Sequence, residues 1–504
     1  MLPQIAGFEV TGDKQQNQYK LLFGNPVKTQ QSNTNLSAGT GWYKNQKMAG
    51  TRDRYFLDPK FELFSENDRK ERDFMAAQTM NLTERMAHTQ TTPLFYKIFA
   101  LVSGGMFLDA IDVYMASAVA SYVLKTGWST LALNTVFLSV GFLGLFMGSL
   151  LAGFIGDLQG RRRAYQVNLI LFGGFTFLGA FAPNMPTLIA CRLLASTGLG
   201  SEIVTGYSML NEFAPIESRG KWCASASLIA NCGAPITMFL CTLILPHFGW
   251  RPMFIGVGVL AIILWILRRD IPESPRWLIA HGKKEEAAGI IEQLERDTPA
   301  ETHIKPQAEK AVLEVPMWRS LFVAIVAVSA TIICQYTFTT WVPTLLLKRG
   351  INVVHSLSFS TIMLLGAPVG ALIGTMLVDR IGRKKLIAPT FFLVAVFGIL
   401  YGYQTTSTGV MVIGFFLTAC FYVLMAAVVA VYVAELFPTV FRFRGSGIAN
   451  ATAKLLTVAM PYAVAAILTF AQPAMVFWGI SAIGLIAAIV VAIFGPETRQ
   501  RVIH

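Results

Sequence analysis

Long apolar runs alternate with short polar loops over most of this 504-residue chain. Each run is about twenty residues long, which is enough to cross the ~30 Å hydrocarbon core of a bilayer as a helix. A soluble core of this size would leave too little polar surface to cover it. The pattern predicts twelve transmembrane helices, near 96–122, 130–156, 164–183, 187–211, 222–245, 252–268, 319–346, 357–378, 386–403, 409–434, 446–470 and 474–494.

The composition agrees with a membrane protein. Hydrophobic residues make up 54% of the chain and charged residues 14%, against roughly 25% charged residues in an average soluble domain. The polar N-terminal stretch contains no apolar segment that resembles a signal peptide, and we expect much of it to be disordered. The predicted regions are a polar cytoplasmic extension (1–93), a six-helix bundle (94–268), a cytoplasmic linker with short helices (269–317), a second six-helix bundle (318–495) and a cytoplasmic tail (496–504).

Three charged motifs occur twice in the same order, at offsets of 222, 223 and 224 residues. Each motif lies where an apolar run ends, so the repeated unit is a set of membrane helices. The pairs are Asp157 to Arg162 with Asp379 to Lys384, Glu212 and Arg219 with Glu435 and Arg442, and Pro272-Glu273-Ser274 with Pro496-Glu497-Thr498. This duplication predicts an all-α membrane protein made of two pseudo-symmetric six-helix bundles, which is the plan of many secondary transporters.

The distribution of lysine and arginine predicts the orientation. The loops with Arg161 to Arg163 and Arg380 to Lys385, and the stretch after Arg268, are strongly basic, whereas the alternate loops carry only residues such as Lys125 and Arg251. The positive-inside rule therefore places both termini in the cytoplasm. The net charge of +12 is largely this loop bias. It does not indicate a nucleic-acid partner, which would need a basic patch on a soluble face.

The repeated charges predict a latch at the cytoplasmic ends of the helices. Carboxylates and cations there can pair between helices when that side is closed and must separate when it opens, which biases the conformational equilibrium by a few kcal/mol. The alternative is that these residues only anchor the topology. The predicted gating residues are Asp157, Arg161, Glu212, Arg219, Asp379, Arg383, Glu435 and Arg442.

Ionisable residues inside the predicted helices are candidates for the chemistry, because a charge in hydrocarbon is costly. Asp109 and Asp112 lie three residues apart and therefore share a helix face. Arg192 and Glu202 lie about 15 Å apart along the fourth helix. An arginine beside a carboxyl group can control whether that group holds a proton. We therefore predict that these four residues couple proton movement to transport, with a purely structural ion pair as the alternative.

The chain resembles the major facilitator superfamily from about residue 94 to 500. The resemblance is carried by the loop motif Gly153 to Arg163, by Glu212 to Arg219, and by the segment Pro272 to Leu278, which is similar to that of sugar porters and metabolite:proton symporters. Leu158 stands where the superfamily usually has a basic residue. The resemblance implies a transporter that works by alternating access.

The buried charges narrow this resemblance to the phosphate, aromatic-acid and niacin-type proton symporters. The segment Gln335 to Leu346 is similar to the seventh helix of the aromatic-acid and metabolite group. It lacks the paired glutamines of sugar porters and the aspartate of phosphate symporters. Lys454, in the eleventh predicted helix, favours a small organic anion whose carboxylate it would meet in a low-dielectric cavity. The predicted solute-binding residues are Gln335, Tyr336, Trp341, Lys454 and Tyr207.

Together these features predict a bacterial inner-membrane symporter that moves a small organic acid, such as an aromatic acid or nicotinate, with protons. We expect a monomer whose partners are the solute, protons and the bilayer. No cofactor, metal site or enzyme activity is expected, because we find no nucleotide loop, metal-type cysteine or histidine cluster, or catalytic triad. One alternative is a sugar:proton symporter, which the segment Pro272 to Leu278 favours. Another is a transporter-like sensor that signals through the N-terminal tail.

Overall fold

The computed structural model describes residues 91–215, 218–295, 315–348, 350–438 and 441–498, together with four short strands. Most of the polar N-terminal extension lies outside this part. Within the separate unit Met1–Ala77, β1 (Tyr55–Leu57) pairs antiparallel with β2 (Leu63–Ser65). The first half of the remaining chain contains α1 (Pro93–Lys125), α2 (Leu131–Gln159), α3 (Arg161–Gly179), α4 (Met185–Phe213), α5 (Arg219–Phe248) and α6 (Arg251–Leu267).

A 3₁₀ turn (Arg268–Asp270) and two short helices, α7 (Pro275–Ala280) and α8 (Lys284–Glu295), follow the first half. A strand, β3 (Ala311–Leu313), pairs in parallel with β4 (Arg501–Ile503) near the end of the chain. The helices of the second half are α9 (Met317–Lys348), α10 (Val353–Leu364), α11 (Gly366–Ile381), α12 (Arg383–Tyr403), α13 (Ser407–Leu424), a π-helical segment (Met425–Tyr432), α14 (Val433–Glu435), α15 (Arg442–Phe470) and α16 (Ala474–Phe494).

The prediction of twelve membrane-crossing helices is confirmed. In the part of the chain that the structure describes, eleven spans are long and apolar enough to cross a bilayer. The twelfth crossing is α3, which has 19 residues and begins with three arginines. Two crossings are interrupted. The span Val353–Ile381 breaks at Leu365, because Pro368 has no backbone N–H to donate to the carbonyl of Leu364. The span Ser407–Glu435 contains the π-helical segment.

Large apolar side chains cover the outer surface of the helices. Exposed examples occur on both halves, including Leu150, Phe239, Leu372, Phe392 and Ile486. In water such a surface would be unfavourable, whereas in lipid it needs no polar cover, and the helical backbone satisfies its own hydrogen bonds. The polar side chains that matter for function are therefore those turned toward the interior.

Glycines repeated in the two halves allow pairs of helices to pack closely. Gly144 and Gly148 bring α2 against α4, and a Cβ atom at Gly148 would lie 2.0 Å from the carbonyl oxygen of Thr197. The equivalent Gly366 and Gly370 bring α11 against α13 in the same way. Small residues at such positions let helix backbones approach in a membrane. The duplication therefore extends from the charged motifs to the packing of the core.

The third repeated motif, which contains Glu273 and Glu497, is in contact with the first repeated motif in each half. Gly160 and Gly382 precede α3 and α12 with φ of 94° and 105°, a conformation that favours glycine. The carboxylate of Glu273 accepts hydrogen bonds from the backbone N–H groups of Arg161 at 2.8 Å and Arg162 at 3.1 Å. Glu497 accepts one from the backbone N–H of Arg383 at 2.9 Å. Each half thus uses a glutamate from beyond its last helix to cap its third helix.

Two of the hydrogen bonds between the two halves lie near one end of the helices. We call the end that holds Gly160 and Gly382 the motif end, and the opposite end the far end. Near the far end of α1 and α9, the hydroxyl of Ser117 donates to the carbonyl oxygen of Thr340 at 2.6 Å, and Ser121 Oγ lies 3.0 Å from Thr344 Oγ1. Both pairs join positions 223 residues apart. The helices α1 and α9 therefore meet near the far end, at equivalent points of the duplication.

The capping glutamates give a stability prediction. Replacing Glu273 with glutamine removes the charge that binds the first N–H groups of α3, and a hydrogen bond to a charged group contributes about 1.5 kcal/mol or more. Glu273→Gln should lower the thermal unfolding temperature of the purified protein, and Glu497→Gln should lower it in the same way by uncapping α12. Glu285→Gln, on the exposed side of α8, is the control. Equal melting temperatures for all three variants would contradict the capping role.

Candidate functional site

A buried ion pair joins α1 and α4 in the first half. A guanidinium nitrogen of Arg192 donates to a carboxylate oxygen of Asp112. Asp112 is fully buried, and Arg192 is 6% exposed. Thr176 Oγ1 lies 3.5 Å from the other oxygen of Asp112, and the ring of Phe137 lies beside the guanidinium. Two of the predicted proton-coupling residues are thus in direct contact in an interior position.

A second buried ion pair joins Glu202 of α4 to Arg268, which follows α6. Arg268 Nη1 lies 2.8 Å from Glu202 Oε1, and both side chains are fully buried. Arg268 Nη2 donates to the carbonyl oxygen of Leu101 in α1 at 2.7 Å. The guanidinium also lies over the ring of Tyr165, 4.0 Å from its centroid. Arg268 therefore holds α1, α3 and α4 together at one point.

Arg268 was not among the predicted coupling residues, because it is the last residue of the sixth predicted helix and precedes a basic stretch. Arg192 was the one cation among them. Glu202 uses a different cation from Asp112. The sequence did indicate that a second buried cation was needed. With Arg192 alone, two of the three buried carboxylates would have no counter-charge. Arg268 was not recognised as that cation, because the charged residues Arg269 and Asp270 follow it, as is typical of a polar loop after a membrane helix.

Asp109 lies one helical turn from the second pair and has no hydrogen-bond partner or ion pair among the residues that the structure describes. It is 3% exposed, and neither carboxylate oxygen has a hydrogen-bond partner. The second oxygen of Glu202 also lacks a partner. The charged groups that act on the Asp109 carboxyl group are Glu202, Arg268 and Asp112. The first half thus contains one unpaired carboxyl group beside two complete ion pairs.

A polar cluster in the second half lies close to α1. The side-chain amide of Gln335 donates to the hydroxyls of Tyr114 and Tyr422, both at 3.2 Å, and the two hydroxyls are hydrogen-bonded to each other. The amide oxygen of Gln335 has no partner. Gln335 lies 223 positions after Asp112 and is its equivalent in the duplication. Tyr114 was not among the predicted site residues, because it lies within an apolar run.

The other predicted solute-binding residues do not all come together. The ammonium of Lys454 in α15 donates to the hydroxyl of Ser149 in α2, across the boundary between the halves. The ring of Tyr336 packs against Phe142, 5.0 Å between centroids. Trp341 is buried in the core at 2% exposure. Tyr207 packs in a separate apolar cluster of the first half, away from the cluster that contains Tyr336 and Trp341.

The predicted gating residues form ion pairs inside each half. Arg161 Nε lies 3.4 Å from Glu212 Oε1. In the second half, Arg383 makes two hydrogen bonds to Glu435, at 2.7 and 2.8 Å, and an ion pair with Asp379 at 2.9 Å.

Of the three remaining gating residues, Arg219 has a described side chain. Arg219 reaches only the carbonyl oxygen of Ala214, at 3.5 Å, and it forms no ion pair with Glu212 among the residues that the structure describes. The side chains of Asp157 and Arg442 lie outside the described part. Among the described residues, the motif-end charges therefore tie helices together within one half rather than across the two.

Comparison with known proteins identifies the family. The sequence model described as sugar (and other) transporter matches residues 89–504. The chain belongs to this family. The inner membrane metabolite transport protein YdjE of Escherichia coli (strain K12) is 34% identical over 422 residues, which are 80% of this chain and 93% of YdjE. The niacin transporter NiaP of Acinetobacter baylyi is 28% identical over 441 residues, which are 84% of this chain and 99% of NiaP.

A solved structure supports the same assignment. The partially occluded, inward-open form of the xylose transporter XylE from Escherichia coli matches with a TM-score of 0.66 and 19% sequence identity, over 81% of this chain and 99% of XylE. The fold is therefore that of the major facilitator superfamily. With its twelve crossings, the family member described here is an integral, multi-pass membrane transporter.

The second ion pair depends on a glycine. A Cβ atom at Gly105 would lie 1.8 Å from Arg268 Nη2 and 2.1 Å from Glu202 Oε1, whereas a Cβ atom at the adjacent Gly104 would meet nothing closer than 3.9 Å. Gly105→Ala should therefore separate the buried pair and destabilise the protein by about 3–5 kcal/mol. Gly104→Ala is the matched control and should melt like the wild type. Similar unfolding temperatures for the two variants in detergent would show that the pair does not need this space.

Proposed function

We propose that the protein is a proton-coupled symporter of a small organic anion, of the aromatic-acid or nicotinate class, that works by alternating access. The observation that carries the proposal is the position of Lys454. Its ammonium lies between the two halves and contacts a serine hydroxyl, and none of the ion pairs among the described residues includes it. An ammonium group in this environment gains most from a carboxylate that a solute brings.

Protons would be carried by the first half. Asp109, Asp112 and Glu202 are buried carboxyl groups, and Arg192 contacts one of them directly. When the solute or a conformational change draws Arg192 away, Asp112 loses its counter-charge and binds a proton more readily. This linkage would make movement of the solute depend on movement of a proton.

The solute would lie between the proton-carrying residues and the second half. Gln335 and Lys454 are polar side chains of the second half that contact the first half, as do Tyr422 and Thr344. Tyr336 offers an aromatic face beside Phe142. Trp341 and Tyr207, buried in the core and in a separate cluster, are better placed to support the helices than to touch the solute. Nicotinate would fit this chemistry, and the similarity to NiaP, a niacin transporter, supports the same class.

We propose that the motif end faces the cytoplasm of a bacterial inner membrane and that the structure is inward-facing. The basic loops at that end support the orientation, and the similarity to YdjE, an inner membrane protein, supports the location. The hydrogen bonds of Ser117 and Ser121 on α1 support a closed far end. The motif-end pairs that include Arg161 and Arg383 keep each half rigid while the two halves move.

A sugar remains the second candidate, because the segment Pro272 to Leu278 is similar to that of sugar porters and the family is described as sugar (and other) transporter. A thermal-shift screen of the purified protein with nicotinate, 4-hydroxybenzoate, xylose and inorganic phosphate separates the candidates. The proposal expects one of the two carboxylates to raise the melting temperature most. Stabilisation by xylose alone would overturn it in favour of a sugar.

Charge selectivity is tested at Lys454. The substitution Lys454→Gln should weaken binding of nicotinate at least about tenfold, which corresponds to 1.4 kcal/mol, and should leave binding of the neutral analogue nicotinamide unchanged. Lys454→Arg keeps a positive charge and should retain part of the affinity. Binding is measured by calorimetry on purified protein. If both variants bind nicotinate like the wild type, Lys454 is a structural charge, and the sugar candidate becomes the better one.

Proton coupling is tested at Asp112. Asp112→Asn should abolish accumulation of nicotinate driven by a proton gradient in proteoliposomes, because the coupled carboxyl group is gone. It should spare part of the counterflow exchange, since exchange does not require the proton to cycle. Thr176→Val, which removes only the neighbouring hydroxyl, is the control and should keep coupled accumulation. Full accumulation by Asp112→Asn with a normal pH dependence would remove Asp112 from the mechanism.

A further inference from the structure

The interior of the first half holds more negative than positive groups. Its described interior contains three carboxyl groups, Asp109, Asp112 and Glu202, and two guanidinium groups, Arg192 and Arg268. All five residues are at most 6% exposed. If every group were ionised, the site would carry one net negative charge in a low-dielectric environment. One bound proton makes the site neutral, so the structure has to decide which carboxyl group holds it.

Two of the three carboxyl groups already form ion pairs. Arg192 contacts Asp112, and Arg268 contacts Glu202 at 2.8 Å. Arg268 is itself fixed at three points, by Glu202, by the carbonyl oxygen of Leu101 at 2.7 Å, and by the face of the Tyr165 ring. A guanidinium held in this way cannot turn toward another carboxyl group without breaking several contacts.

Asp109 is the carboxyl group that remains. Within the described part of the chain, both of its oxygens lack a hydrogen-bond partner, although the side chain is almost completely buried. Burying an ionised and unpaired carboxylate is very costly, whereas burying the neutral acid costs much less. The neutral acid also has an O–H group that can donate to a nearby acceptor.

We infer that Arg268 is a positioning residue that keeps Glu202 ionised and thereby leaves the exchangeable proton to Asp109. The inference rests on the proposed symport and deepens it, since it divides the four predicted coupling residues into two sites. Asp112 and Arg192 form the site that responds to the solute, and Asp112 takes up a proton only after Arg192 has moved away from it. Asp109, with Glu202 and Arg268, forms the site that holds the proton. The reaction there is proton binding alone, with the proton taken from water on one side and returned to water on the other.

The groups that face Asp109 come from each element packed around it. Asp112 lies on the same helix, Tyr165 on α3, Glu202 on α4, and Arg268 follows α6. From α5, Gly233 packs against Ala110 and presents no ionisable group. The field at Asp109 is therefore set by one cation and two other carboxyl groups, and loss of the cation should change it most.

Infrared difference spectroscopy tests the inference without any solute. A protonated carboxyl group absorbs apart from a carboxylate, so a pH titration of the purified protein in detergent reports which buried acids hold protons. The wild type should show a protonated-carboxyl band that is lost as the pH rises. Asp109→Asn should remove this band. Glu273→Gln, which alters a carboxyl group at the motif end that binds backbone N–H groups, is the matched control and should leave the band unchanged.

Arg268 is tested by gain of signal rather than by loss. In Arg268→Gln, Glu202 loses its counter-charge and should take up a proton, so a second protonated-carboxyl band should appear. The double variant Glu202→Gln with Arg268→Gln should lack that second band and keep the Asp109 band. Arg268→Lys restores a positive charge and should suppress the second band. If Arg268→Gln does not fold, the spectra of Asp109→Asn and of the double variant still show which carboxyl group holds the proton.

Two results would overturn the inference. One is a protonated-carboxyl band that persists in Asp109→Asn and disappears in Glu202→Gln, which would place the proton on Glu202. The other is a folded Arg268→Gln variant without a second band, which would show that Arg268 does not control Glu202. Both readouts are independent of nicotinate. A failure of the organic-anion proposal in the binding screen would therefore leave this test intact, and the converse also holds.

Discussion

The cost of placing a charge in hydrocarbon is the constraint on which the interior of this transporter depends. An ionised side chain is tolerated there only beside a counter-charge or a set of hydrogen-bond partners. The first half meets this condition twice, with Arg192 on Asp112 and Arg268 on Glu202. The second pair in turn determines several other features: Gly105 must lack a side chain, the Tyr165 ring must lie under the guanidinium, and the end of α6 must reach the interior. Helix packing in this half is therefore arranged around its charges.

The two halves share a frame but differ in chemistry. The charged motifs, the capping glutamates and the packing glycines are repeated, whereas the buried charges are not. Gln335 stands at the position equivalent to Asp112, and Phe415 and Met425 stand at those equivalent to Arg192 and Glu202. Duplicated geometry lets the halves move as a symmetric pair. The loss of symmetry inside them allows one half to handle protons and the other to offer Gln335 and the ammonium of Lys454 to a solute, as proposed above.

Features that depend on the local sequence pattern could be predicted from the sequence. Contacts between residues that lie far apart in the chain mostly could not. Apolar run length was sufficient for the crossings, because the bilayer fixes how long a spanning helix must be. The break at Leu365 was not predicted, although Pro368 follows it in the sequence. The contact of Arg268 with Glu202 spans 66 residues, and no periodicity within a helix reports on such a pair. Tyr114 was missed for a related reason, since its hydroxyl matters only through Gln335 on another helix.

The positions of the capping glutamates in the sequence determine when, during synthesis, the two helix caps can form. Glu273 lies 112 residues after the helix start that it caps, and Glu497 lies 114 residues after its own. During synthesis, α3 enters the membrane long before its capping residue has been made, and its first N–H groups must be satisfied by water until then. In each bundle, the residue that caps the third crossing is therefore synthesised after the last helix. For the second bundle this residue, Glu497, follows α16, so a polypeptide that ended at Phe494 would contain all twelve crossings and would leave the first N–H group of α12 without its cap.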